Sequence, residues 1–223
     1  MSRAASRKRG TSSPHQPELS PETIRTAALA LIDDEGLTGF STRKLGRALG
    51  CEAMAIYWYF PSKDALLDAV VDKLMEDVAL VISTSRKRDW IAVLRAVAIA
   101  YRGVAHAHPK AFPLLATRRF ASETTFEFLE QLFALAREQG IDDHVTAWFY
   151  RVVSSYCNGF ALNELAGSRD VIAKTGGKRF ARVTAVSAWL EPKYLDELFD
   201  FGLELQLAAL ARATRSGRVA RPR

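Results

Sequence analysis

Apolar residues recur every three or four positions along most of the chain, which is the spacing of one face of an α-helix. The first stripe follows Ser20, a residue type that caps helix N-termini, and Pro21, which is favoured at the first helical position. Gly36 is placed to end this helix. The pattern predicts an amphipathic helix that buries these side chains: Ile24, Ala27, Ala28, Leu31 and Ile32.

Two much shorter helices are predicted next, joined by a tight turn. Ser41 caps a helix that begins at Thr42, and Gly50 supplies the left-handed residue that stops it. A second run over residues 53–59 ends before Pro61, which cannot continue a helix. Two short helices joined through glycine are typical of a helix-turn-helix, whose second helix enters the major groove of DNA.

A longer helix is predicted after Ser62 and runs to about residue 82. Its first turn carries Lys63, next to the helix-turn-helix, while its far end enters the rest of the chain. We therefore expect this helix to connect the two parts of the protein, with a loop over residues 83–88 after it. Its buried stripe is predicted to comprise Leu66, Leu67, Val70, Val71, Leu74 and Val78.

The remaining sequence keeps the helical spacing and lacks the alternation of strands. Capping residues Asp89, Ser122 and Asp142 precede three further helices, and Pro192 opens a last one. Residues 167–190 contain Gly176 and are expected to form a long mobile loop with one helical turn near 182–188. The prediction is an all-α fold with four parts: a disordered basic leader (1–19), a three-helix helix-turn-helix domain (20–66), a larger helical bundle for ligand binding and dimerisation (67–214) and a basic tail (215–223).

The second short helix presents an uncharged outer face. Met54 and Trp58 lie nearly opposite Ile56 at 100° per residue, and Tyr57 lies on a flank. Basic residues outnumber acids by three around this face, which suits phosphate contact beside a surface that reads bases. The basic residues are Arg43, Lys44, Arg47 and Lys63, and the acid is Glu52.

The run STRKLGRALG-CEAMAIYWYFPSKDALLDAV resembles the DNA-binding domain of the tetracycline-repressor (TetR) family of bacterial regulators, over roughly residues 21–74. The resemblance implies a homodimer that binds double-stranded operator DNA and a small-molecule effector, most simply as a repressor that the effector releases. Trp58 either faces the DNA or packs against the neighbouring helix. The DNA contacts implied are Thr42, Arg43, Ala53, Met54, Ala55, Tyr57, Trp58, Tyr59 and Lys63.

The sequence departs from the tetracycline repressor proper at Ala53 and Ala55, which offer DNA only methyl groups. The operator sequence is therefore not transferable. The run HAHPKAFPLLATRR resembles the segment before and within the pocket of the family's C-terminal domains. Leu114 stands where the tetracycline repressor has the His that binds drug-chelated magnesium, so we expect a different effector.

The middle helices are rich in aromatic residues, which usually line small-molecule pockets or simply fill the core. We predict ligand contacts from Tyr101, Phe112, Thr117, Phe126, Trp148 and Asn158. Two helices, residues 145–165 and 194–210, are apolar on more than one side and must be buried on both. The last helix is expected to pack against a second subunit, as the resemblance also implies.

Charge and composition limit the other classes of function. The formal charge of +6 arises from the two tails, which carry +3 and +5 and leave −2 for the rest, so basicity alone is no evidence of DNA binding. The leader is expected to be disordered or to follow the DNA as an arm. Two separated cysteines, no signal peptide and no membrane span favour a cytoplasmic protein.

We expect no metal, no cofactor and no enzyme, because His106, His108 and His144 lack ligand spacing and no catalytic motif is present. The alternative function is a helical ligand-binding or protein-interaction module without DNA binding.

Overall fold

The computed structural model describes residues 19–84, 89–118, 123–167 and 180–216. These residues form helices and the segments that connect them, and they contain no strand. The all-α prediction is confirmed. Within these ranges the helices are α1 (Pro21–Gly39), α2 (Thr42–Leu49), α3 (Ala53–Tyr57), α4 (Lys63–Thr84), α5 (Trp90–Ala107), α6 (Phe112–Arg118), α7 (Glu123–Glu138), α8 (Asp143–Leu165), α9 (Ala181–Ser187) and α10 (Leu195–Ser216).

The cap of α1 forms as its sequence predicts. The hydroxyl of Ser20 accepts from the backbone N–H of Thr23 at 3.1 Å, and the N–H of Ser20 donates to the Thr23 hydroxyl at 2.9 Å. This reciprocal pair satisfies two backbone donors at the helix start. Gly36 was predicted to end this helix; it has a positive φ of 77° and kinks the helix, but one more turn continues to Gly39.

Helices α1 to α3 form a small core against the first half of α4. Ile24, Ile32, Leu45 and Ile56 are completely buried there. Helix α1 packs on α2 and α4, and α2 packs on α3. The three helices therefore hold α3 at the surface, with only its Ile56 side turned inward.

Helix α4 joins this small core to the larger bundle. Its predicted stripe is buried over its whole length, from Leu66 to Val78, and the helix packs against α5, α6 and α7 as well as α1. Arg118, the last residue of α6, pairs with Asp64 at 2.5 Å and with Asp68 at 3.0 Å. Both aspartates lie in the first two turns of α4, next to Lys63.

The larger bundle packs α10 against α8 and α5. The backbone of α10 approaches α8 closely at Gly202, where an added Cβ would lie 2.3 Å from the hydroxyl of Tyr156. That hydroxyl donates to the Phe199 carbonyl at 2.9 Å, and burial raises the pKa of Tyr156 to about 12. Helix α9 confirms the helical turn predicted near residues 182–188.

Several sequence predictions lie outside the described residues: the leader up to residue 18, the loop 85–88, the cap Ser122, the glycine pair at 176–177 and the tail from residue 217. Asp142 occupies the N-cap position of α8, but its side chain makes no capping bond. None of the helices in the described part is both long enough and apolar enough to cross a membrane.

Candidate DNA-reading surface and ligand cavity

The turn between α2 and α3 depends on a glycine inside α2. The hydroxyl of Ser41 accepts from the N–H of Lys44 at 3.3 Å, and Gly50 ends α2 with φ of 68°. The N–H of Cys51 then donates to the carbonyl of Gly46 at 2.9 Å. A Cβ on Gly46 would lie 2.7 Å from the Cys51 carbonyl oxygen, so only glycine permits this approach of α3 to α2.

The outer face of α3 is exposed and apolar. Met54 is 72% exposed and Trp58 is 88% exposed, whereas Ile56 is fully buried. Trp58 therefore does not pack against the neighbouring helix, which was one of its two predicted positions; its contact with DNA stays a prediction. Large exposed apolar side chains are unfavourable in water unless a partner covers them. We call this face, after its predicted role, the DNA-reading surface, and define it as Met54, Tyr57 and Trp58 with the small residues Ala53 and Ala55.

Two hydroxyl contacts fix the edges of the DNA-reading surface. The phenol of Tyr57 lies 3.3 Å from the Thr42 hydroxyl and so connects α3 with the start of α2. The hydroxyl of Tyr59 donates to the Leu19 carbonyl at 2.8 Å, which ties the segment before α1 to the end of α3. Tyr59 thus also has a structural role that its sequence position did not indicate.

Exposed cations lie beside this surface. Lys63 extends over the ring of Phe40, with its Nζ atom 5.5 Å from the ring centroid. Arg43 and Arg47 are exposed on α2. Lys44 is engaged inside the domain, because its ammonium donates to the Gly39 carbonyl at 2.9 Å and pairs with Glu35. Lys63, Arg43 and Arg47 are therefore better placed than Lys44 to contact phosphates.

A cavity of about 50 Å³ lies inside the larger bundle, between α4, α5, α7 and α8. Its walls are mostly apolar and include Met75 and Val78 from α4 and Ala98 from α5. Thr125 from α7 and Cys157 from α8 add polar atoms to the lining. The α4 residues were predicted only as core, since their spacing is that of an ordinary buried stripe.

Tyr101 is the one predicted ligand residue that lines this cavity. Its ring meets that of Phe112 edge to face, with centroids 5.3 Å apart, so Phe112 supports it from behind. Its hydroxyl donates to Asn158 Oδ1 at 2.9 Å, and the amide of Asn158 donates to the Ala116 carbonyl at 3.2 Å. Asn158 therefore connects the cavity wall with the backbone of α6.

Three other residues predicted to contact the ligand do not line this cavity. Phe126 is 58% exposed and Trp148 is 46% exposed, and both lie on the outside of the subunit rather than in the cavity wall. Thr125 and Phe128 lie on the side of α7 that faces the core. Phe126 follows Thr125 by one position and therefore faces a different side of the helix. Thr117 is exposed, and its hydroxyl donates to the Pro113 carbonyl of its own helix at 2.9 Å.

A charge cluster that was not predicted from the sequence joins α5, α8 and α10; its Arg102 and Glu164 side chains are largely buried, whereas its Asp196 side chain is 86% exposed. The guanidinium of Arg102 donates to both oxygens of Glu164, at 2.9 and 2.6 Å, and to Asp196 at 2.7 Å. It lies 4.8 Å from the centroid of the Phe199 ring. The sequence did contain an indication of this cluster, because Arg102, four residues after Ala98, is a charged residue on the apolar side of α5.

This cluster predicts a specific dependence of stability on pH. Hydrogen bonds from Arg102, and then from His106, hold the pKa of Glu164 below the ordinary value of 4.5. A lowered folded-state pKa contributes stability that is present above 4.5 and is lost as the pH falls through the folded-state pKa. The difference in free energy of unfolding between wild type and Glu164→Gln should therefore narrow below pH 4.5 in urea titrations. A difference that stays constant down to pH 3 would contradict this assignment.

A second junction links the two parts of the chain. The Nδ1 atom of His108, at the end of α5, lies 2.7 Å from Asp33 of α1. Lys110 donates to the Asp34 carbonyl at 2.5 Å. Within the described residues no cluster of three or more His, Cys, Asp or Glu side chains is arranged to hold a metal ion.

Comparison with known proteins covers nearly the whole chain. Residues 24–70 match the family model described as bacterial regulatory proteins, tetR family, and residues 84–213 match the one described as Tetracyclin repressor-like, C-terminal domain. The class G tetracycline repressor of Vibrio anguillarum is 26% identical over 202 residues, which is 87% of this chain and 95% of that protein.

Solved structures agree with these matches. A possible TetR family regulator from Streptomyces coelicolor A3(2) has a TM-score of 0.76 at 24% identity and covers 89% of this chain and 100% of its own. A TetR variant from Acinetobacter baumannii AYE, solved in complex with minocycline, has a TM-score of 0.69 at 26% identity and covers 87% and 98%. The first likeness concerns the fold alone.

Proposed function

This chain belongs to the TetR family of bacterial regulatory proteins, and on that premise we propose that it is a sequence-specific repressor released from its operator by a small molecule. The observation that carries the proposal is the DNA-reading surface of α3. Met54 and Trp58 are exposed there, while Leu45 and Ile56 anchor α3 from below. Such a surface fits the floor of a major groove, where apolar side chains contact thymine methyl groups.

The flanking residues supply the phosphate contacts. Arg43, Lys63 and the hydroxyl of Thr42 lie around α3 and suit the backbone on both sides of the groove. Tyr59 joins them when its hydroxyl exchanges the Leu19 carbonyl for a phosphate oxygen. Tyr57 reaches the groove from the flank of α3. These contacts position the protein, and the bases are read by α3 itself.

A homodimer would present two such surfaces. Helices α8 and α10 carry apolar side chains that the described residues leave half exposed or more, among them Val152 at 51% exposure and Phe201 at 65%. We propose that these helices form the dimer interface, because a helix that is apolar on both sides must be buried on both. Two recognition helices then reach successive major grooves, about 34 to 36 Å apart for one helical turn. Operator binding implies a cytoplasmic protein.

We propose that a bound ligand releases the protein from its operator by acting on α4. Met75 and Val78 on α4 line the cavity, and Lys63 at its start lies beside the DNA-reading surface. Arg118 of α6 holds the same end of α4. A ligand that favours a different tilt of α4 changes the separation of the two reading surfaces, and a coupling of about 1 to 3 kcal/mol lowers operator affinity about 5- to 150-fold.

The decisive experiment is a gel shift on the DNA upstream of the protein's own gene. Lys63→Ala should weaken binding and reduce the slope of log K against log salt by about one for each half-site, because a phosphate contact is lost. Tyr57→Ala should weaken binding as well, without unfolding the protein.

Lys73→Ala is the matched control. Lys73 lies on the same helix, but it pairs with Glu22 at 2.9 Å and Glu76 at 2.8 Å, on a surface away from α3. Its removal should leave the salt slope unchanged. Unaltered operator affinity in both Lys63→Ala and Tyr57→Ala would contradict the proposed DNA contacts.

A further inference from the structure

The cavity wall differs from the rest of the subunit in having no ionised side chain. Its polar atoms, among the described residues, belong to hydroxyl and thiol groups: Tyr101, Thr125, Tyr150, Ser154 and Cys157. The buried guanidinium of Arg102 lies outside this wall and is paired with Glu164. The cavity therefore offers no counter-ion to a charged molecule.

An ion that enters such a site loses its hydration and gains no partner. The effective penalty is several kcal/mol for each unpaired charge, whereas a neutral molecule loses little. Leu114, at the position where the family resemblance implies a magnesium-binding His, is aliphatic and buried. A metal-chelated ligand would find no donor there.

The residue types of the lining favour an aromatic ring. Tyr101, Phe128 and Tyr150 supply aromatic faces and edges, and Met75 and Cys157 place sulfur atoms in the wall. Aromatic rings pack edge to face, and sulfur makes favourable contacts with ring edges. The Tyr101 hydroxyl already donates to Asn158, but its oxygen still accepts, so it can orient a hydroxyl group on the ring.

The cavity is smaller than the molecule it would hold. Its volume is about 50 Å³, and a cavity that accepts benzene measures about 150 Å³. A ring must therefore displace part of the wall. Met75, whose unbranched side chain adapts readily, is one of two α4 residues in this wall, so enlargement acts directly on the helix that leads to Lys63.

We infer that the effector is an uncharged, mainly aromatic compound with one or two hydroxyl or carbonyl groups, and that it binds by widening the cavity against Met75 and Val78 of α4. This inference rests on the proposed function and specifies the ligand class of the same regulator. It separates the protein from regulators that sense anions, cations or metal chelates.

The test compares three naphthalenes that share the ring and carry one small substituent of different charge, by calorimetry on the full chain at pH 7: 1-naphthol, 1-naphthoate and 1-naphthylmethylammonium. The neutral 1-naphthol should bind saturably, once per subunit, and at least about tenfold more tightly than either ion. Comparable affinity for an ion, or no saturable binding of 1-naphthol, would overturn the inference.

Filling the cavity provides the second arm. Ala98→Leu adds three carbons inside the lining and should weaken 1-naphthol binding at least about tenfold, while Ala107→Leu, on the exposed end of the same helix, should change nothing. If Ala98→Leu does not fold, Ser154→Leu fills the cavity from α8 with the same expectation. Undiminished binding to the filled variant would place the ligand elsewhere and overturn the inference.

The gel shift without ligand tests the regulator itself. Operator binding by a protein that takes no neutral probe would overturn the ligand class and leave the proposed function standing. Saturable 1-naphthol binding by a protein that ignores its upstream DNA would overturn the proposed function and leave the cavity chemistry standing.

Discussion

Replacing Arg102 by alanine is expected to lower the free energy of unfolding by about 3 to 5 kcal/mol, because it removes the bidentate partner of a largely buried carboxylate and leaves it only the half-exposed His106. The side chains of Arg102 and Glu164 are only 11% and 12% exposed. Glu164, and then Asp196, raise the pKa of Arg102 above its ordinary value, so the guanidinium is charged at every accessible pH. Urea unfolding at fixed protein concentration measures the effect, since a dimer's stability depends on concentration.

Arg95→Ala is a close control for this experiment. Arg95 also lies on α5 and also pairs with α10, through Glu204 at 2.6 Å, but these side chains are 43% and 50% exposed. Exposed pairs contribute about 0 to 1 kcal/mol. The double variant Arg102→Met with Glu164→Gln should recover part of the loss. Equal, small losses for Arg102→Ala and Arg95→Ala would show that the cluster is not effectively buried.

Replacing Gly46 by alanine is expected to reduce operator affinity at least about tenfold and to cost about 1 to 3 kcal/mol of stability. The new methyl group would lie 2.7 Å from the Cys51 carbonyl oxygen and 3.2 Å from the Ala53 nitrogen. Both are backbone atoms, so the turn and α3 must move to relieve the overlap. A displaced α3 no longer presents Met54 and Tyr57 in register with the bases.

Gly103→Ala separates this effect from the general one of replacing glycine in a helix. Gly103 lies within α5, and no atom comes within 4 Å of an added Cβ. Alanine there should be neutral or stabilise the protein by about 0.5 to 1 kcal/mol. Operator titrations and urea curves on the two variants provide both quantities. Normal operator binding by Gly46→Ala would mean that the protein still reads DNA when α2 and α3 lie further apart.

The features that the sequence predicted well are those set by local chemistry. Ser41 caps α2 and Gly50 ends it because each acts on its own backbone neighbours, and Asp89 caps α5 by accepting from the Ile91 N–H. The same holds for the outward position of Met54, which follows from the burial of Ile56 on a helix of only five residues. Few alternatives exist for so short an element.

The features that it missed depend on packing between distant helices. Both sides of α7 carry large apolar residues, so periodicity could not decide whether Phe126 or Phe128 faces inward. Burial of Thr125 in the structure settles it. The cavity is likewise a gap between four helices, and no single segment encodes it. Among these features, only the cluster around Arg102 could have been predicted, because a charged residue on an apolar stripe is visible in the sequence.

Helix α4 both lines the cavity and carries Lys63, and this affects how a regulator of this kind acquires new ligand specificities. Substitutions at Met75 or Val78 alter the bound molecule and the response of the gene together, because both residues share a helix with Lys63. Substitutions at Phe128 or Ser154, on the opposite walls, can retune which compound is detected while the output stays the same. New specificities should therefore arise more readily through α7 and α8, and changes in dose response through α4.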